Sequence, residues 1–171
     1  ADKIDATVER WPTGSLALDW ILGGGLPKGK AIQFKGPDAS GKTSIAIVLA
    51  SSIINQGGVV VWVKFEDFDR IWARKLGLAL PLNESEQSIA DQILPLMDET
   101  IDPSQLIFLE GEKGEELLDA ANTTLRSGLV DLIVIDSIAA SAPSDLVAKS
   151  LQEGEMRAQK AALNARFVER V

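Results

Sequence analysis

Gly36-Pro37-Asp38-Ala39-Ser40-Gly41-Lys42-Thr43 fills every fixed position of the pattern G-x-x-x-x-G-K-[ST], known as Walker A. Each fixed position has a physical reason. Glycines let the backbone curl so that successive N–H groups point inward at anionic oxygens. A helix predicted from Lys42 onward turns the positive end of its dipole on the same oxygens. In this pattern the Lys42 side chain reaches β- and γ-phosphates, and the Thr43 hydroxyl ligates Mg²⁺. With Ser44 beside them in the first helical turn, residues 36–44 form the candidate site for a nucleoside triphosphate, expected to be Mg-ATP.

Working outward, residues 31–34 before the loop read as a short strand and 42–54 after it as a helix broken by Gln56-Gly57-Gly58. Upstream, Leu16, Leu18, Ile21 and Leu22 have helical spacing within 13–22. Gly23-Gly24-Gly25 stops that helix, and 26–29 reads as a turn. Downstream, 59–65 is rich in β-branched and aromatic residues and predicts a buried strand. A short helix is expected over 71–76, a strand over 106–109, and a helix over 114–126 with Leu117, Leu118, Ala121 and Leu125 on one face. Residues 129–135 form the most apolar strand, and 152–171 reads as a final, partly amphipathic helix. Strands alternating with helices imply an α/β fold with parallel pairing and right-handed crossovers.

The chain has 171 residues, 46% hydrophobic and 25% charged, a composition suited to one ordinary globular domain. It contains no cysteine and no histidine, which removes thiol catalysis, disulfides, the usual zinc sites and a histidine general base. A formal net charge of −8 means that any nucleic-acid binding must be local. No basic, apolar leader opens the chain and no apolar run approaches membrane-spanning length, so the expectation is a cytoplasmic protein without membrane contact.

Four hydrophobic residues, Leu132-Ile133-Val134-Ile135, lead into Asp136. This is a Walker B pattern, whose carboxylate holds Mg²⁺ through water.

Together these stretches resemble the RecA family of recombinases. The likeness is carried by Thr13-Gly14-Ser15-Leu16-Ala17-Leu18-Asp19 with Leu26-Pro27-Lys28-Gly29, and by the Gly-Pro opening of the phosphate loop. Ile71-Trp72-Ala73-Arg74-Lys75-Leu76-Gly77 and Ser127-Gly128-Leu129-Val130-Asp131 through Asp136-Ser137-Ile138-Ala139-Ala140 complete it. The resemblance implies a RecA-like P-loop ATPase core over 13–171, with a mainly parallel sheet flanked by helices and an N-terminal arm over 1–12. It implies ATP and Mg²⁺ as cofactors, single- and double-stranded DNA as partners, and a homo-oligomeric filament.

Residue roles follow from the same resemblance. Glu66 matches the carboxylate that orients the attacking water, alongside Lys42 as a catalytic residue. The gap from Glu66 to Ile71 is one residue shorter than the family pattern, which keeps neighbouring Asp67 as an alternative. Trp72 matches an aromatic, usually tyrosine, that stacks on adenine, and Asp69 an acidic residue near the adenine amino group. Arg157 and Lys160 lie where the family places its first DNA loop and the helix after it; they either face phosphates or form a solvated helix face with Glu155 and Glu169. Residues 80–102 read as an acidic, partly helical insertion. The family's sensor strand and second DNA loop are expected beyond Val171, so the sequence reads as a fragment whose sheet is incomplete. Two rivals stay open: a motor or clock-type ATPase of the same fold without strand exchange, and a non-hydrolysing paralogue acting as scaffold or regulator.

Overall fold

The structure, a computed structural model, describes residues 8–78, 80–93, 101–111 and 113–137. The predicted helix over 152–171, Arg157 and Lys160 lie outside these residues, as do 1–7 of the arm and 94–100 of the insertion. The chain divides into two compact units, residues 1–59 with 69–106, and residues 60–68 with 107–171.

In the first unit, β1 (Arg10–Trp11) pairs antiparallel with β2 (Leu26–Pro27). Thus the end of the predicted arm is paired, and only the second half of the predicted 26–29 turn is a turn. Lys28 explains part of this pairing, since its ammonium stands 4.0 Å over the Trp11 ring and 3.2 Å from the Glu9 carboxylate. Helix α1 (Leu16–Leu22) starts where the Ser15 side chain accepts from the Leu18 N–H, and ends at Gly23 in the left-handed region, φ 72°. The Arg10 guanidinium donates to the Leu22 and Gly25 carbonyls (3.1 and 3.0 Å), so one side chain fastens the helix end to the strand pair.

Helix α2 (Lys42–Ile54) buries Ala46, Ile47, Leu49, Ala50, Ser51, Ile53 and Ile54, most of its circumference after the first turn. A helix apolar on nearly all sides belongs in a core. Helix α3 (Arg70–Lys75) is tied to it by the Ser51 hydroxyl, which donates to the Gly77 carbonyl at 2.7 Å. Arg74 is buried and donates to the Leu80 carbonyl at 2.6 Å. Helix α4 (Glu84–Ile93) lies within the predicted insertion and opens with a reciprocal cap. The Asn83 side chain accepts from the Glu86 N–H, and the Glu86 carboxylate accepts from the Asn83 N–H (2.8 and 2.9 Å). A 3-10 turn, Pro103–Gln105, follows, and the Gln105 amide donates to the Ile54 and Gly58 carbonyls.

The second unit carries a three-stranded sheet in the order β4 (Leu106–Leu109), β3 (Val60–Lys64), β5 (Leu132–Asp136). Strands β3 and β5 are parallel, in register from Val60↔Leu132 to Lys64↔Asp136. Central β3 is buried from Val60 to Val63, which explains its unbroken apolar sequence. Its side chains alternate. Val61 and Val63 pack on Leu117 and Ala121 of α5 (Gly114–Ser127), flanked by Phe65, Leu109, Val130, Ile133 and Ile135. Trp62 meets Phe68 edge-on (centroids 4.9 Å apart), and Phe68 meets Phe108 the same way at 5.1 Å. Truncating Trp62, which is 1% exposed, to alanine would cost about 3–5 kcal/mol.

Two expectations are corrected. Residues 31–34 form no strand: among the described residues they belong to neither sheet, and Ile32 and Phe34 are 43% and 36% exposed. Strand character resides in a long-range ladder, which a two-residue alternation cannot supply. The strand expected over 129–135 begins at Leu132 rather than Leu129, which is 78% exposed, and β5 is only half-buried throughout.

Candidate nucleotide-binding site

The loop from Gly36 to Gly41 closes tightly on itself. A Cβ added at Gly36 would meet the Ser40 Oγ at 2.6 Å, and the Ser40 N–H donates to the Pro37 carbonyl at 3.3 Å. Ala39 sits at φ 56°, a left-handed conformation uncommon outside glycine, and Asp38 next to it is exposed. Gly41, at φ 86°, ends the loop and caps α2 without a side-chain hydrogen bond. A side chain there would be strained by the positive φ, although its Cβ would meet nothing within 4 Å. The helix ladder starts at once, with the Ile45 N–H donating to the Gly41 carbonyl at 2.9 Å.

Lys42 bends back over this loop. Its ammonium donates to the Gly36 carbonyl (3.2 Å) and the Pro37 carbonyl (2.8 Å). A cation held at a helix N-terminus beside a curled, glycine-bearing backbone is a cradle for a polyanion. Thr43 and Ser44 follow in the first turn, both half-buried.

The structure joins Trp72 to this turn. Trp72 is 45% exposed, and its indole Nε1–H donates to the Ser44 hydroxyl oxygen at 3.2 Å. Lys75 lies 6.0 Å from the ring centroid. Asp69, expected beside a base, caps α3: its carboxylate accepts from the Trp72 backbone N–H at 2.8 Å. An Asp standing immediately before a helical stretch is itself a capping signal in the sequence.

In the other unit, Glu66 and Asp136 stand at the C-terminal ends of neighbouring parallel strands, where α/β sheets bind ligands. The Phe65 N–H donates to the Asp136 carbonyl at 2.9 Å, carrying the ladder one step past β3. The Ser137 hydroxyl donates to the Glu66 carboxylate, a partner that sequence reasoning missed although Ser137 directly follows the Walker B aspartate. Asp67 is exposed beside it, in a shallow open cleft that Lys64, Phe65, Glu66, Glu110 and Gly111 also line. Lys64 pairs with Glu110 there at 3.4 Å.

The donor chemistry suits the expected ligands. Backbone amides and an ammonium match phosphate, while a threonine hydroxyl and an aspartate offer the hard oxygens Mg²⁺ takes. Among the described residues, no helix is long and apolar enough to cross a membrane.

The family model for the RecA N-terminal domain matches residues 1–104 and 97–171. Protein RecA of Bifidobacterium longum is 38% identical over 169 residues, covering 98% of this chain and 36% of that protein. Protein RecA of Fusobacterium nucleatum is 36% identical over 169 residues, covering 98% of this chain and 37% of that protein. Protein RecA of Bacillus subtilis is 33% identical over 169 residues, covering 98% and 40%. The chain therefore spans well under half the length of these relatives.

Proposed function

The chain belongs to the RecA family, in the region of its N-terminal domain, and from that premise we propose that it is the ATP-binding core of a DNA recombinase. In this reading it binds and hydrolyses Mg-ATP in the cytoplasm. As a filament on single-stranded DNA it promotes pairing and strand exchange with double-stranded DNA. The observation that carries the reading is the phosphate loop, with Lys42 drawn over the Gly36 and Pro37 carbonyls at the N-terminus of α2.

Residue roles follow from chemistry. Loop amides and the Lys42 ammonium bind the triphosphate and stabilise charge developing on the transferred phosphoryl group. The Thr43 hydroxyl and the Asp136 carboxylate are the groups that would hold Mg²⁺, which would neutralise phosphate charge. Glu66 orients the attacking water. Its partner Ser137 restricts which way the carboxylate points. Trp72 presents a broad aromatic face to the base, with Asp69 holding the turn beneath it.

The test is ATP hydrolysis by the full-length protein at low salt, with and without single-stranded DNA. Strong stimulation by DNA, abolished by Lys42→Ala, is expected. Turnover indifferent to DNA would replace the recombinase with a motor or clock-type ATPase, and binding without turnover with a scaffold.

A further inference from the structure

The hydrogen bond from Trp72 to Ser44 does more than satisfy an indole. We propose that Ser44 is a positioning residue, which fixes the Trp72 ring relative to the phosphate-binding turn and so makes affinity for the base depend on a hydroxyl of the phosphate helix. This inference rests on the reading of the loop as an ATP site.

Three observations carry it. Trp72 lies on α3, a six-residue helix, and its backbone N–H is already held by the Asp69 cap at 2.8 Å. Trp72 as a residue is 45% exposed, so packing alone leaves its ring rotational freedom. The Nε1–H···Oγ contact at 3.2 Å supplies the missing constraint, pinning the side chain at its tip while the cap pins it at its root. Twenty-eight residues separate the partners, so the contact ties two distant stretches of sequence at one point. A ring fixed before a base arrives loses less conformational freedom on binding, which shows as affinity. An indole has a single donor and no acceptor. With that donor directed at Ser44, the ring presents its face rather than turning its edge to seek water.

The constraint predicts a selectivity effect rather than a general loss. Inorganic tripolyphosphate carries the charge of the nucleotide without a base, so the ratio of ATP affinity to tripolyphosphate affinity isolates the platform. Calorimetric titration of the full chain with each probe, in Mg²⁺, should show Ser44→Ala lowering that ratio about 3- to 10-fold, the span of one hydrogen bond. Ser44→Thr, which keeps the hydroxyl, should restore it. In a Trp72→Phe background, which keeps a flat ring and removes the N–H, adding Ser44→Ala should leave the ratio where Trp72→Phe set it.

A loss equal for both probes would overturn the proposal, making Ser44 a phosphate contact alone. An equal fall in the ratio in the Trp72→Phe background would overturn it too. Failure of the underlying reading looks different: the unsubstituted chain would then bind neither probe, or bind both without preference.

Discussion

Glycine 25 shows how much one hydrogen atom decides at the scale of a residue. Its φ is 113°, and a Cβ there would lie 2.2 Å from the Trp11 carbonyl oxygen and 2.8 Å from its carbon. Both are backbone atoms of the strand partner, so neither can swing aside. Gly25→Ala should therefore destabilise the fold by on the order of 2–4 kcal/mol, read as a lowered urea midpoint. At Glu66 the consequence is chemical. The Ser137 hydroxyl donates to its carboxylate, and Asp67, exposed as Glu66 is, follows one residue on. Glu66→Gln should keep ATP binding and slow hydrolysis by about 100-fold or more, the range for losing a positioned general base. Asp67→Asn should stay within a few-fold of the parent rate. A reversal of the two would assign the water to Asp67, the alternative that the shortened gap before Ile71 left open.

Among elements, α3 is short enough for its cap to matter. Asp69→Ala removes the acceptor of the Trp72 N–H and should cost about 1 kcal/mol in chemical denaturation, while Asp69→Asn, another good cap, should cost far less. Equal losses would show that the cap contributes nothing and that the carboxylate acts elsewhere. Elements were legible in the sequence where their causes are local. Helix α2 runs from Lys42 to Ile54, as the phosphate loop and Gln56-Gly57-Gly58 predict, and α5 begins at Gly114 with Leu117, Leu118 and Ala121 buried as its periodicity requires, while Leu125 of the same face is 36% exposed. Strand limits were less legible, because a ladder depends on a partner far away in sequence. Ile32 and Phe34 alternate like strand residues and remain unpaired among the described residues, while Arg10–Trp11, with a mixed sequence, pair because Leu26–Pro27 lie alongside. The candidate site divides the same way. The phosphate loop was legible in eight consecutive residues, yet the Trp72–Ser44 and Glu66–Ser137 contacts span 28 and 71 residues, and no motif spacing records them.

For the whole molecule, binding and stability are one equilibrium. A ligand that binds only the folded chain stabilises it by RT ln(1 + [L]/Kd), and the phosphate cradle exists only when the loop and the first turn of α2 are formed. Ala39 and Gly41 both hold left-handed conformations, at φ 56° and 86°, which an unfolded chain samples together rarely, so unfolded chains offer a nucleotide little. At a free Mg-ATP concentration about 100 times Kd, the gain is about 2.7 kcal/mol, which for a chain of this size raises the melting temperature by roughly 5–10 °C. Three arms of a thermal melt separate the causes. Lys42→Ala should lose most of the shift, because the ammonium that faces the phosphates is gone. Chelating Mg²⁺ with EDTA at constant ATP should shrink the shift without abolishing it, since the loop amides and Lys42 still bind the polyanion. Adenosine, which has the base and no phosphate, should barely move the melt, since in the proposed reading the phosphates supply most of the binding. A shift of equal size in the Lys42→Ala chain would move the nucleotide away from the phosphate loop, and with it the part of the proposed function that rests on that loop.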